Sequence, residues 1–476
     1  MASQGVKFFT GMAATVVLAR LLTPQDYGLI GMVAVVMGFI SIFKDMGLSA
    51  ATIQKEEISK EQISTLFWIN VGVSILLMVL TAALAHAVAW FYGDTRLTLI
   101  TVSLSAGFLF GGLTVQHEAL LRRQMRFTAL AATEVLSVIV GLVVAITLAW
   151  RGAHYWALVV NQLVQGLSYA IGIWIVCGWK PGRPAGYSGV RSMFAFGRNL
   201  TGFHMINYFA RNLDNMLIGK VWGSWQLGLY AKAYQLLLLP IDQINSPIAA
   251  VAIPALSRLT DSPERYRKAY LRILEKIAMM TMPGMAFMIV CSDWIVGLVL
   301  GPQWIGASRI FALLGIAGLV QPVANTTGWL FMSQNRAHHM FQWGIIGGTI
   351  AILSIVLGLH WGAIGVATSY SLIGVGVVTP LLFYFVGRAG PVRTMDFYRT
   401  MAAPACATLL AMVALFLFRR LAGAINPAVG LLGALAITAI TAFVALYALP
   451  LGRRSLQDFR NVYALITKSD QADTAS

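Results

Sequence analysis

The chain has 476 residues, 58% of them hydrophobic and only 11% charged, with a mean hydropathy of +0.74. Soluble domains are about a quarter charged, so a fraction this low over the whole length excludes a soluble globular fold and indicates a polytopic membrane protein. The net charge of +16 sits in short clusters between apolar runs, which excludes a nucleic-acid-binding surface.

A membrane-spanning helix needs about 20 mostly apolar residues. In chain order such runs fall near 4–22, 27–44, 65–92, 97–116, 128–150 and 155–176. A second set follows near 195–219, 226–255, 273–300, 307–332, 340–360 and 362–386, then a pair near 400–418 and 427–449. The predicted fold is all-α with about fourteen spans. The first run starts almost at Met1, is interrupted by Lys7 and has no small-residue cleavage site before Arg20. It therefore reads as a permanent span and not as a secretory signal. Cys177, Cys291 and Cys406 are too far apart for a disulfide framework or a zinc site, and no cofactor is expected.

Charge orients the spans. With the amino terminus in the cytoplasm, the inner loops are 45–64, 117–127, 177–194, 256–272, 333–339, 387–399 and the tail after Pro450. About 24 of the 34 Lys and Arg then lie inside and about 8 outside, the asymmetry of the positive-inside rule. Both termini are expected in the cytoplasm. The outer loops are too short to fold as a domain, and no Ser/His or His/Asp pair has catalytic spacing. A membrane-bound glycan polymerase or ligase is excluded on those grounds.

An internal repeat follows from "ARLLTPQDYGLIGM" (Ala19–Met32) and "GKVWGSWQLGLYAK" (Gly219–Lys232). Arg20 aligns with Lys220, Gly28 with Gly228 and Leu29 with Leu229. Each stretch joins the first two helices of a six-helix block. The expected organisation is two parallel lobes, 1–190 and 191–390, about an axis along the membrane normal, followed by 391–476 as a helix pair and tail. Such lobes would enclose a central cavity.

"LARLLTPQDYGLIGM" with "FKDMGLSAATIQ", and later "NLDNMLIGKVWGSWQLGLYAKAYQLLLLP", resemble the polysaccharide-transporter branch of the multidrug/oligosaccharidyl-lipid/polysaccharide exporter superfamily, in particular its colanic-acid-exporter-like group. The resemblance covers essentially the whole chain. It implies a flippase that moves polyprenyl-diphosphate-linked oligosaccharide, with an undecaprenyl carrier, across the bacterial inner membrane for exopolysaccharide or lipopolysaccharide synthesis. It further implies two lobes working by alternating access around a cationic cavity. Family members carry a short basic or amphipathic leader before the first span, whereas here the run begins at once. The alternative is a multidrug or cation antiporter of the same superfamily, for which an acidic, aromatic cavity is expected. Candidate partners beside the lipid bilayer are H+ or Na+ as a coupling ion, and polysaccharide polymerase or export machinery.

The candidate site residues lie where polarity interrupts apolar helix. His204, Asn207 or Tyr208, Arg211 and Asn215 recur at helical spacing on one face of the seventh span. A guanidinium there suits the diphosphate of a lipid-linked sugar. Asp214 lies one turn from Arg211, and is either a tuning or ion-coupling carboxylate or simply the partner of Arg211. In the eighth span Asp242 and Asn245 stand among Pro240, Pro247 and Pro254, making Asp242 the second ion-coupling candidate. Lys232 is expected to snorkel at the end of that span. Gln321 and Asn325, with Thr326 and Thr327, suit sugar hydroxyls or helix–helix hydrogen bonds. Glu134 and "NQLVQ" (Asn161–Gln165) carry the same ambiguity. Trp90, Tyr92, Trp150 and Trp304 read as interfacial anchors, while Trp222 and Trp225 could stack on sugars.

Overall fold

The computed structural model describes residues 2–44, 52, 58–184, 190–423, 425–449 and 452–453, with the side chains of 2–4, 6–9, 190–207 and 210 outside it. Among the described residues every regular element is helical. The chain forms two compact units, Met1–Ala231 and Lys232–Ser476.

The first unit holds α1 (Ala2–Leu21), α2 (Pro24–Ser41), α3 (Lys60–Tyr92), α4 (Arg96–Arg123), α5 (Phe127–Trp150), α6 (Tyr155–Cys177) and the start of α7 (Val190–Ser257). The second holds the rest of α7, then α8 (Pro263–Val290), α9 (Ser292–Val299), α10 (Ile305–Gly318), α11 (Gln321–Ser333), α12 (Ala337–Leu359), α13 (Gly362–Ile373), α14 (Thr379–Gly387), α15 (Thr394–Ala422) and α16 (Pro427–Ala448).

Local chemistry explains the helix ends. Thr23 caps α2 through a reciprocal box: its hydroxyl accepts from the Asp26 amide at 3.3 Å, and the Asp26 carboxylate accepts from the Thr23 amide at 2.9 Å. Pro24 follows at a helix start, where a missing N–H is harmless. Ser59 and Gln62 repeat the device at the start of α3. Gly93 ends α3 in the left-handed conformation. In the following turn Arg96 donates to both Asp94 oxygens, at 3.0 and 2.7 Å. Those side-chain hydrogen bonds hold the Asp94 carboxyl below its ordinary range.

Among the described residues eleven helices are long and apolar enough to cross a membrane, or twelve if Pro302–Gly318 and Gln321–Ser333, bent by 43°, form one broken span. That is fewer than the fourteen expected. Among the described residues α1 contributes the shorter apolar helix Thr10–Leu21, and Arg211–Ser257 counts as one helix of 47 residues although it is not straight. Gly223 interrupts it with φ 79° and ψ −178°, a combination open essentially to glycine alone. Pro240, Pro247 and Pro254, in contrast, lie inside continuous helix.

Two further boundaries differ from the hydropathy reading. The inner loop expected at 117–127 is mostly helix, because α4 continues to Arg123. The ninth span expected at 273–300 starts earlier, at Pro263, and breaks at Cys291. There Arg419 bonds the Val290 carbonyl and pairs with Asp293 at 2.6 Å, so a side chain replaces the lost helical donor.

The repeated sequence has a structural counterpart inside the first unit. A Cβ on Gly28 would meet the Ser224 carbonyl oxygen at 1.7 Å, and a Cβ on Gly228 would meet the Pro24 carbonyl oxygen at 1.8 Å. Pro24 and Ser224, like Gly28 and Gly228, are 200 residues apart. The two helix starts therefore clasp reciprocally, the pattern of a two-fold interface in which each side uses the same positions. Leu29 and Leu229 are both buried beside this contact.

In the second unit a core of Tyr266, Tyr270, Leu274, Phe331, Phe383 and Phe397 joins α8, α11, α14 and α15. Its tyrosines are satisfied internally, Tyr266 by Ser333 at 2.6 Å and Tyr270 by Thr326 at 2.7 Å. Thr326 is thus a helix–helix contact. The Trp and Tyr residues expected at span ends divide. Trp90 and Trp150 are exposed, as anchors require. Tyr92 and Trp304 are buried, and Trp304 closes the tight turn Pro302–Trp304 within the second unit.

Candidate functional site

Burial resolves the polar stretch of α7. Asp214 is 8% exposed and accepts a hydrogen bond from the Tyr230 hydroxyl at 2.9 Å. It also accepts from the Asn215 amide at 2.7 Å. Arg211 is exposed, and among the described residues it forms no ion pair. The alternative in which Arg211 and Asp214 satisfy each other is therefore not what the fold builds. Tyr230 lies beyond the Gly223 break, so the reversal of the chain returns a phenol to the carboxylate that the Arg211 spacing would have claimed. The amide oxygen of Asn215 is buried without a partner among the described residues. Tyr208 donates to the Val35 carbonyl at 2.8 Å and packs near Phe39. The side chains of His204 and Asn207 lie outside the described residues.

This arrangement gives Asp214 a structural duty with a measurable signature. Asp214→Asn retains an acceptor for Tyr230, and its melting midpoint in detergent should stay near that of the parent. Asp214→Ala removes the carboxylate to which the buried Tyr230 hydroxyl donates, at a cost of about 1–3 kcal/mol, and should melt lower. Equal melting of the two variants would contradict that duty.

The remaining candidates lie in the second unit. Asp242 is exposed on α7, and it is its neighbour Asn245 that braces the helix, donating to the Pro322 carbonyl at 3.2 Å. Lys232 is buried, not snorkelling, and donates to Gln235 at 2.9 Å. Gln321 and Asn325 come together with Ser354, Tyr370 and Thr379 around a cavity of about 180 Å³. The Gln321 amide oxygen is buried there without a partner among the described residues. One wall of that cavity is the π-helical turn Gly374–Val378, whose Gly374 carbonyl accepts from the Thr379 hydroxyl at 2.9 Å. Such turns widen a helix locally and recur at functional sites.

A larger polar cavity, about 480 Å³, opens between α4, α5 and α6 of the first unit. It is lined by Glu118, Arg122, Glu134, Gln162, Gln165 and Tyr169, among others. Glu134 and the glutamines stood out in the sequence, but Glu118 and Arg122 did not, because their segment reads as loop. The missed signal is helical spacing: Glu118 and Arg122 are i, i+4, and Gln162, Gln165 and Tyr169 are i, i+3, i+7. Asn161 has the other role of its stretch, packing against Gly141, where a Cβ would meet its Oδ1 at 2.8 Å.

An all-helical bundle with this many apolar helices, polar cavities between them and no strand among the described residues defines a multi-pass membrane protein. Residues 17–309 match the family described as "Polysaccharide biosynthesis protein", and the chain belongs to that family. It is 27% identical to the lipopolysaccharide biosynthesis protein WzxC of Escherichia coli (strain K12), over 79% of this chain and 77% of that one. To the teichuronic acid biosynthesis protein TuaB of Bacillus subtilis (strain 168) it is 28% identical, over 71% of this chain and 70% of that one. Its fold is that of the lipid II flippase MurJ in an inward closed conformation, with a TM-score of 0.73 at 14% identity, covering 94% of this chain and 98% of the other. The chain is a multi-pass membrane protein of the polysaccharide biosynthesis family.

Proposed function

We propose that the protein is a flippase for lipid-linked oligosaccharide, carrying an undecaprenyl-diphosphate-linked glycan unit across the bacterial inner membrane while the lipid tail stays in the bilayer. The observation that carries this reading is the exposed Arg211 in the polar stretch of α7, free of any ion pair among the described residues, with Asp214 occupied by Tyr230. An unpaired charge in hydrocarbon costs about 2.5–3.5 kcal/mol, so an exposed guanidinium on a spanning helix favours a face turned to water, where an anionic ligand can reach it. A guanidinium binds diphosphate oxygens in a bidentate manner.

The orientation that goes with this reading places both termini and the basic loops in the cytoplasm. Two six-helix repeats, 1–190 and 191–390, rock by alternating access around a cationic cavity, with 391–476 added as a helix pair and tail. The reciprocal Gly28 and Gly228 contact supports that pseudo-symmetry. In this scheme His204, Asn207 and Asn215 share the Arg211 face, Gln321 and Asn325 offer hydrogen bonds to hydroxyls, and Asp242 is the candidate carboxylate for H+ or Na+. A multidrug or cation antiporter is the alternative, and the exposed Arg211 guanidinium favours an anionic ligand over it.

Arg211→Ala tests the proposal. Export of the surface polysaccharide should be lost while the amount of protein in the membrane stays normal. Export at the parental level would refute the anion-binding role.

A further inference from the structure

The cavity between α4, α5 and α6 lies wholly within the first unit and contains none of the residues assigned above to the diphosphate. Its depth makes it unusual. Gln162 is fifteen residues from the end of α6 at Cys177, about 22 Å at helical rise, and Glu134 is seven residues from the start of α5, about 10 Å. A polar strip therefore runs from the α4–α5 turn toward the middle of the membrane. Glu134 and Gln162 are exposed, and hydrocarbon would penalise both.

The donor set discriminates between ligands. A bare cation takes six to eight oxygens at about 2.3–2.6 Å, far less room than about 480 Å³, and Arg122 would repel it. A diphosphate is opposed by Glu118 and Glu134. Glu118 already accepts a hydrogen bond from the Tyr169 hydroxyl, which leaves its remaining lone pairs for donors from a ligand. Gln162 and Gln165 have no hydrogen-bond partner among the described residues. Planar amide, carboxylate and guanidinium groups beside a tyrosine match vicinal hydroxyls, each able to donate to and accept from neighbouring oxygens. The volume falls within the range of about 300–1,000 Å³ typical of small-molecule sites.

We infer that this cavity binds sugar residues of the transported glycan, separately from the site that holds the diphosphate. The inference rests on the flippase reading, with Arg211 gripping the diphosphate and the α4–α6 cavity recognising hydroxyl-rich sugar. Specificity for a particular glycan would then reside largely in the first unit, and the charge-dependent grip would be common to all substrates.

The test compares two probes on the full-length protein in nanodiscs: undecaprenyl diphosphate, and the undecaprenyl-diphosphate-linked oligosaccharide extracted from the producing strain. The parent should bind the sugar-bearing lipid about tenfold or more tightly, the worth of one to two net hydrogen bonds to charged or amide groups. Gln162→Ala/Gln165→Ala should erase that preference and leave undecaprenyl diphosphate binding unchanged, whereas Arg211→Ala should weaken both. Gln162→Ala alone, at an exposed position, should reduce the preference without affecting the melting midpoint, which separates recognition from folding. A preference that survives intact in both glutamine variants, or is absent from the parent, overturns the sugar site. Failure of the parent to bind either lipid overturns the flippase reading itself.

Discussion

Gly28→Val and Gly228→Val should each lower the melting midpoint of the protein in detergent, by similar amounts and further than a cavity-forming change at a half-buried position. The reason is geometric. At each position the first carbon of a side chain would fall on a backbone carbonyl oxygen, that of Ser224 at 1.7 Å or that of Pro24 at 1.8 Å. Backbone at a helix start cannot rotate away as a flexible side chain can. Overpacking of this sort costs about 1–3 kcal/mol and occasionally more, and valine adds two methyl groups to the clash. Gly72→Ala is the control: no atom lies within 4 Å of the point its Cβ would occupy, and alanine in a helix interior is favoured over glycine by about 1 kcal/mol. If the two valine variants melt with the parent, the helix starts do not touch as described. Unequal losses would mean that the reciprocal contact is not symmetric in energy.

Asp396→Ala should destabilise the second unit by about 3 kcal/mol, the sum of a lost helix cap and lost charged hydrogen bonds. Asp396 has a side-chain exposure of 6% and stands in the first turn of α15, where a carboxylate complements the helix dipole. It accepts from the Arg393 amide at 2.8 Å and from Arg267 Nε at 2.8 Å, with a second contact to the same guanidinium. It therefore closes α15 and ties it to α8 with one side chain. Asp396→Asn keeps part of the cap but loses the charge, and should fall between the parent and the alanine variant. Denaturant titration of the full-length protein in detergent reads the order. A change in Asp396→Ala no larger than about 0.5 kcal/mol, the scale of ordinary surface substitutions, would show that Arg267 and Asp396 do not pair in solution.

Hydropathy made most of the architecture legible because lipid imposes one rule on every span. Backbone groups must be satisfied within the helix, so a run of about 20 apolar residues has one outcome. The starts of α2, α5, α6, α12 and α16 fall within three residues of the apolar runs that announce them. The exceptions have physical causes. The helix α4 extends through "HEALLRR" because a helix need not stop where the hydrocarbon does. The ninth run breaks at Cys291 because a distant guanidinium, Arg419, takes over the freed carbonyl. No local pattern announces a donor that arrives from 129 residues away.

That the protein is a helical membrane protein, where nearly all its helices lie, and that 19–32 resembles 219–232 are all written in the order of the residues. Those properties depend on composition and short-range periodicity, which a linear chain contains. The partners came from the packing of the helices: Tyr230 for Asp214, Pro322 for Asn245, Pro24 and Ser224 for the two repeated glycines, and Glu118 and Arg122 for the polar face of α6. A polar residue in a membrane helix must find a partner or water, and helical spacing limits it to a face without saying what that face meets. The choice of Asp214 between Arg211 and another partner is of this kind. It falls to a phenol on the far side of a glycine break, at a position that i, i+3 spacing could not reach.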